Sequence, residues 1–194
     1  MHCQMKAGTY FAQTEGTCGS DMEAACGAVS LSNALLLHDP PLCVSPAKVI
    51  NAVFFFSSKP LVSMGGLTPA ELVMLADTVG GPSGVCAEVV QPCPVSRLVP
   101  GCLMYVASIP LKNYQGGAQY ELAPADSHIV TVERITSTGL VVISPDCKRC
   151  GKGFRHDTWG RFVLPFTHLA EVWKTSRHDG AHTVQAAVFL KAVQ

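Results

Sequence analysis

A thiol, an imidazole and a carboxylate stand in this chain in an order that suits nucleophilic acyl transfer. Cys26 begins a run of small and aliphatic residues, Cys26-Gly27-Ala28-Val29-Ser30-Leu31. A thiol near the start of a helix feels the positive end of the helix dipole, and a neighbouring protonated histidine favours thiolate further. Gly27 leaves room for a substrate backbone to come close. Taken by itself, a cysteine on an apolar helix is most often a small buried hydrophobe. His128 opens a second run, His-Ile-Val-Thr-Val-Glu-Arg-Ile, and Asp146 closes a third, Gly-Leu-Val-Val-Ile-Ser-Pro-Asp. A base beside a carboxylate that orients it is the pairing an activated thiol needs.

The elements that must position these residues are legible from periodicity. Ser20-Asp21-Met22-Glu23 reads as a capping box ahead of a helix running through Ala24 to Leu37. That helix is apolar on nearly every side, so it should be buried and central. His38-Asp39-Pro40-Pro41 stops it, because proline cannot continue a helix. Pro46 to Phe56 is a second helix, and Thr68-Pro69-Ala70-Glu71 caps a third whose apolar face is Leu72, Leu75, Ala76 and Val79.

The second half changes period. Val85 to Val90, Cys102 to Ala107, His128 to Ile135, Leu140 to Ser144 and Ala186 to Val193 are rich in β-branched residues and read as strands. A short late helix fits Phe166 to Lys174, and the polar stretch Leu111 to Asp126 reads as a loop bordering the site. Helices first and an antiparallel sheet second make an α+β chain, expected to be one domain over residues 1–194. A tight turn at Ser137-Thr138 would oppose residues whose numbers sum to about 275, which sets His128 against the Asp146–Cys147 end.

The 194 residues suffice for a full core, and with 48% hydrophobic and 14% charged residues the composition is far from that of disordered chains. Net charge is zero, and no basic stripe offers itself to phosphates, which sets nucleic acid aside as a partner. No apolar run is long enough to span a bilayer. Met-His-Cys-Gln-Met-Lys lacks the apolar core of a secretory signal, so the expected setting is cytoplasmic. The nine cysteines are then expected to stay reduced, most of them as small buried hydrophobes.

Taken together, these segments resemble the papain-like cysteine peptidases, and among them the bacteriocin-processing (double-glycine leader) peptidases and their stand-alone relatives. Tyr10-Phe11-Ala12-Gln13 is similar to their aromatic strand ending in Gln. Ala25-Cys26-Gly27 is similar to their nucleophile helix. Ser127-His128-Ile129-Val130 and Ile143-Ser144-Pro145-Asp146 are similar to their His strand and Asp-Pro, although here the proline precedes the aspartate. The chain also resembles phytochelatin synthase, a papain-like transpeptidase acting on glutathione, at Asp39-Pro40 and Gly66-Leu67-Thr68.

The resemblance spans Tyr10 to Leu190. It implies a papain-like fold, with a buried central helix packed on a C-terminal antiparallel sheet. It also implies a thiol-dependent hydrolase of peptide bonds that takes a peptide or a small thiol-peptide and needs no cofactor. Cys26 would attack, His128 would pair with the thiol and protonate the leaving amine, and Asp146 would fix the imidazole tautomer. Gln13 would hold the oxyanion with the Cys26 backbone N–H. The alternatives are glutathione-type γ-glutamylcysteine transfer or hydrolysis, and a papain-fold binding protein without catalysis.

Cys18-Gly19, five residues after Gln13, is a rival nucleophile. It is followed by Ser-Asp-Met-Glu, whose carboxylates would repel a thiolate and burden a buried helix, so Cys26 is favoured. Cys147-Lys-Arg-Cys150 supplies two of the four ligands that zinc needs. Cys86, Cys93, His156 or His178 could complete a set, but none forms a second pair of matching spacing, and no metal is expected.

Overall fold

The computed structural model describes residues 10–11, 25–60, 64, 66–107, 127–145, 161–167, 169, 173–176 and 182–193. Helix α1, Cys26–Leu37, is buried continuously from Gly27 to Leu35, as its all-round apolar sequence demands. It begins later than the Ser20 capping box predicted. Its N-cap is Ala25, which offers no side-chain cap. Residues Ser20 to Glu23 lie outside the described residues. Helix α2, Pro46–Ala52, is capped by Ser45 and passes into a 3-10 turn at Val53–Phe55. Helix α3, Pro69–Gly80, carries the expected capping box: Thr68 Oγ1 accepts from Glu71 N at 3.1 Å, and Glu71 Oε2 accepts from Thr68 N at 2.7 Å. Its buried face is Leu72, Leu75, Ala76 and Val79, joined by Gly80.

Eight strands follow: β1 Val85–Val90, β2 Leu103–Ala107, β3 Ser127–Ile135, β4 Gly139–Ile143, β5 Arg161–Pro165, β6 Lys174–Ser176, β7 His182–Val184 and β8 Ala187–Ala192. Six of them form an antiparallel sheet in the order β1-β8-β2-β3-β4-β5, and β6 pairs with β7 separately. The chain is thus α+β, with helices first. Three strands went unread in the sequence, β5, β6 and β7. The late helix is shorter than predicted: residues 166–167 and 169 are helical, and β6 begins at Lys174.

Strand alternation divides the core in two. Leu103, Tyr105, Ile129 and Val188 face the helices, in one cluster with Val29, Leu31, Leu35, Leu72 and Leu75. Met104, Val106, Val130, Val132, Leu140 and Val142 face the other way, where Leu98, Cys102, Leu169 and the fully buried Trp173 cover them. Trp173 is a packing residue, as its type predicts, and its Nε1–H donates to Ala186 O at 2.9 Å.

The β3–β4 hairpin pairs Ile135 with Leu140 and Arg134 with Val141, then shifts by one residue so that Val132 meets Val142 and Thr131 meets Ile143. The bulge at Glu133 causes the shift. The bulged side chain is largely buried and serves as a hub. Glu133 Oε1 accepts from Tyr10 Oη and from Arg161 Nε, each at 2.8 Å, and the Arg161 guanidinium lies over the Tyr10 ring.

The thiols of Cys26, Cys86, Cys93 and Cys102 are unbridged, in line with the reduced state expected. Cys43 is disulfide-bonded, which overturns that expectation at one position. Chain length and expected compartment do not determine which thiols the fold brings within bonding distance. Among the described residues, no helix is long and apolar enough to cross a membrane.

Two predictions follow from these contacts. Thr68→Ala removes the α3 cap and should cost about 1 kcal/mol in denaturant unfolding. Burial, reinforced by the bond to Glu133, pushes the Tyr10 phenol up to about 12. A raised acid is protonated more tightly in the folded state, so its contribution is complete below pH ~10 and is lost as pH rises through ~12. Alkaline unfolding of Tyr10→Phe should show a smaller loss of stability across that window than the parent protein.

Candidate active site

Helix α1 and strand β3 are joined by a reciprocal pair of buried hydrogen bonds. Ser30 Oγ donates to Ile129 O, and Thr131 Oγ1 donates to Ser30 O, both at 2.8 Å. One turn earlier, Gly27 lies so close to the Ile129 and Leu67 side chains that a Cβ there would sit 3.0 Å from each. At the far end of the helix, Gly101, which bonds to Val132 O, borders Ala34 and Leu37. Contacts from Gly27 to Ile129, from Ser30 to Thr131 and from Ala34 to the neighbour of Val132 advance together. The helix therefore runs alongside β3 in the same direction, with its N-terminus over the beginning of the strand. Cys26, the first residue of α1, and His128, the second of β3, come to the same end of this contact.

Cys26 is half-buried against the helix-side cluster. Its place in the first turn is the one in which the helix dipole acts, and no acidic residue shares that turn. The N-cap is an alanine, where Ser, Thr, Asp or Asn is preferred, so the N-cap residue itself supplies no side-chain acceptor.

His128 lies on the other face of the sheet by alternation with Val130 and Val132, opposite Val106 of β2. Its Nε2 is 2.9 Å from Ser144 Oγ, and Ser144 is 4% exposed. The β3–β4 register, continued past Thr131 and Ile143, sets Val130 against Ser144. Ser144 reaches the ring as a diagonal neighbour. Sequence reasoning passed over Ser144. The signal was its shared parity with Val142, which puts a hydroxyl on the histidine's side of the sheet.

Asp146, Gln13 and Cys18 lie outside the described residues, as do Cys147, Cys150, His156 and His178 and the loop from Leu111 to Asp126. Two residues before Gln13, however, the chain is fixed to α1. The buried Asn33 accepts from Phe11 N at 2.7 Å and donates to Phe11 O at 3.1 Å, as a neighbouring strand would. Among the described residues, no cluster of three or more His, Cys, Asp or Glu gathers that could hold a metal ion.

No family model matches the chain, and no curated protein matches it. Its structure is similar to one described as a double glycine motif protease from an AMS/PCAT transporter in complex with the leader peptide. The TM-score is 0.48 and the identity 14%, over 86% of this chain and 84% of that one.

Among the described residues, the four unbridged thiols sit in different surroundings. Burial pushes Cys102 up to about 12 and raises Cys93, and both side chains are fully enclosed. In the folded protein at neutral pH, Cys93 and Cys102 should therefore stay unmodified by a maleimide and react only after unfolding, as read by peptide mass spectrometry.

Proposed function

We propose that this chain is a cysteine peptidase-like hydrolase of peptide bonds, with a papain-like fold and Cys26 and His128 as its reacting pair. The observation that carries this reading is the α1–β3 contact, which sets a first-turn thiol and a strand-end imidazole at one end of the sheet. Thiol and ring start from opposite faces of the sheet. In the proposed arrangement they would meet around the end of β3, with Nε2 engaged by Ser144 and the Nδ1 edge toward sulfur.

In the proposed reaction the Cys26 thiolate forms a bond to the carbonyl carbon of an amide, whose oxygen takes the negative charge. The Cys26 backbone N–H and the Gln13 side-chain amide would donate to that oxygen; in support, the Asn33 clamp fixes Phe11, two residues before Gln13 in sequence, to α1. As the C–N bond breaks, the imidazolium of His128 gives its proton to the leaving amine, and a thioester remains. His128 then takes a proton from water, the hydroxide adds to the thioester, and collapse releases the carboxylic acid and the thiolate. Asp146, one residue beyond Pro145 in sequence, would complete the set with a carboxylate whose charge favours the imidazolium. No step calls for a cofactor.

Alkylation by iodoacetamide at neutral pH tests this directly. Cys26 should react at least ~10-fold faster than free cysteine, His128→Ala should return it to the free rate, and Cys18→Ala should leave it unchanged. A rate at Cys26 no faster than free cysteine would make this a papain-fold binding protein, and a fast site lost in Cys18→Ala would transfer the role of nucleophile to Cys18.

A further inference from the structure

The structure assigns Ser144 as the positioning residue for the His128 imidazole, an inference that rests on the reading of Cys26 and His128 as the reacting pair. Ser144 is 96% enclosed, and a hydroxyl so buried needs an internal partner. It finds one in Nε2 of His128 at 2.9 Å. The bond joins β3 to β4 just beyond their last backbone pair, Thr131 with Ile143, while β2 still holds β3 at Val106 and His128. Pro145 follows Ser144 and is itself buried, so the backbone that carries the hydroxyl is held by a residue of fixed φ.

Three consequences follow for the ring. A serine side chain is short, so the imidazole is kept close to β4 and cannot swing about its χ angles without losing the bond. In this assignment the hydroxyl accepts from Nε2–H, which leaves the neutral ring's lone pair on Nδ1. A neutral oxygen serves the same purpose when the ring is charged, because Nε2–H persists in the imidazolium. Ring orientation and tautomer are thus the two properties assigned to Ser144.

Two measurements on folded full-length protein test the assignment. The first is the imidazole ¹⁵N spectrum of the Cys26→Ala protein at a pH where His128 is neutral, which reads the tautomer with no thiol present. The Nε2–H form should dominate, should become a mixture when Ser144→Ala is added, and should return with Ser144→Thr. Asp146→Asn should leave it in place. An Nδ1–H ring, or a tautomer that follows Asp146 and ignores Ser144, overturns the assignment. The second is alkylation of Cys26, which should slow about 10-fold in Ser144→Ala and recover in Ser144→Thr. A fast parental rate that Ser144→Ala leaves untouched overturns the role of Ser144 alone. A parental rate no faster than free cysteine overturns the reacting pair itself. If Ser144→Ala does not fold, the tautomer of the Cys26→Ala protein still decides, because an Nδ1–H ring is incompatible with the role given to Ser144.

Discussion

The two hydrogen bonds between Ser30 and the Ile129–Thr131 stretch of β3 govern how the rest of the molecule is arranged. Both are fully buried, and each satisfies a polar group that would cost about 1–3 kcal/mol if left unpaired in a core. They are directional where the surrounding Val, Leu and Ile contacts are not. Apolar packing would tolerate some sliding of α1 along the sheet, but the Ser30 bonds permit one offset. That offset brings the helix start and the strand start to the same level. At that offset Gly27 fits closely, since a Cβ there would require the tips of Ile129 and Leu67 to give by a few tenths of an ångström.

Much of this was legible in the sequence, and for identifiable reasons. The α3 cap was read correctly because Thr68, Pro69 and Glu71 state it locally. Strand β1 was read from its β-branched run, and the hairpin register was right on the turn side of Glu133. Beyond Glu133 it was off by one, because a bulge depends on what its side chain finds, and Glu133 finds Tyr10 and Arg161 from distant parts of the chain. The start of α1 was misplaced for the complementary reason. Ser20 to Glu23 matches a local rule, whereas a helix starting at Cys26 behind an alanine breaks it, and local rules cannot anticipate a cap that is missing. Strands β6 and β7 are three residues each and too short to show a period.

The site was legible to a similar degree. Cys26 and His128 are proposed from type, order and context, and the fold sets their elements at the same end of the α1–β3 contact. Ser144 was not, since a serine next to proline at a strand end looks like turn composition. Its role depends on a face of the sheet, and the face follows from a register that only the folded hairpin displays. The Cys43 bridge was missed because pairing of thiols is a property of distance, and spacing along the chain does not supply it.

The clamp of Asn33 on Phe11 has a mechanical meaning. One side-chain amide stands in for an entire strand, and it stands on α1, the element that also carries Cys26. Tyr10, the residue before Phe11, is bonded in turn to Glu133 of β3, so this short stretch is tied to both layers at once. The Ser30 bonds hold the same two layers at one offset. In the proposed reaction, sulfur and imidazole would therefore be carried on a single frame, and proton transfer would require no sliding of one layer over the other.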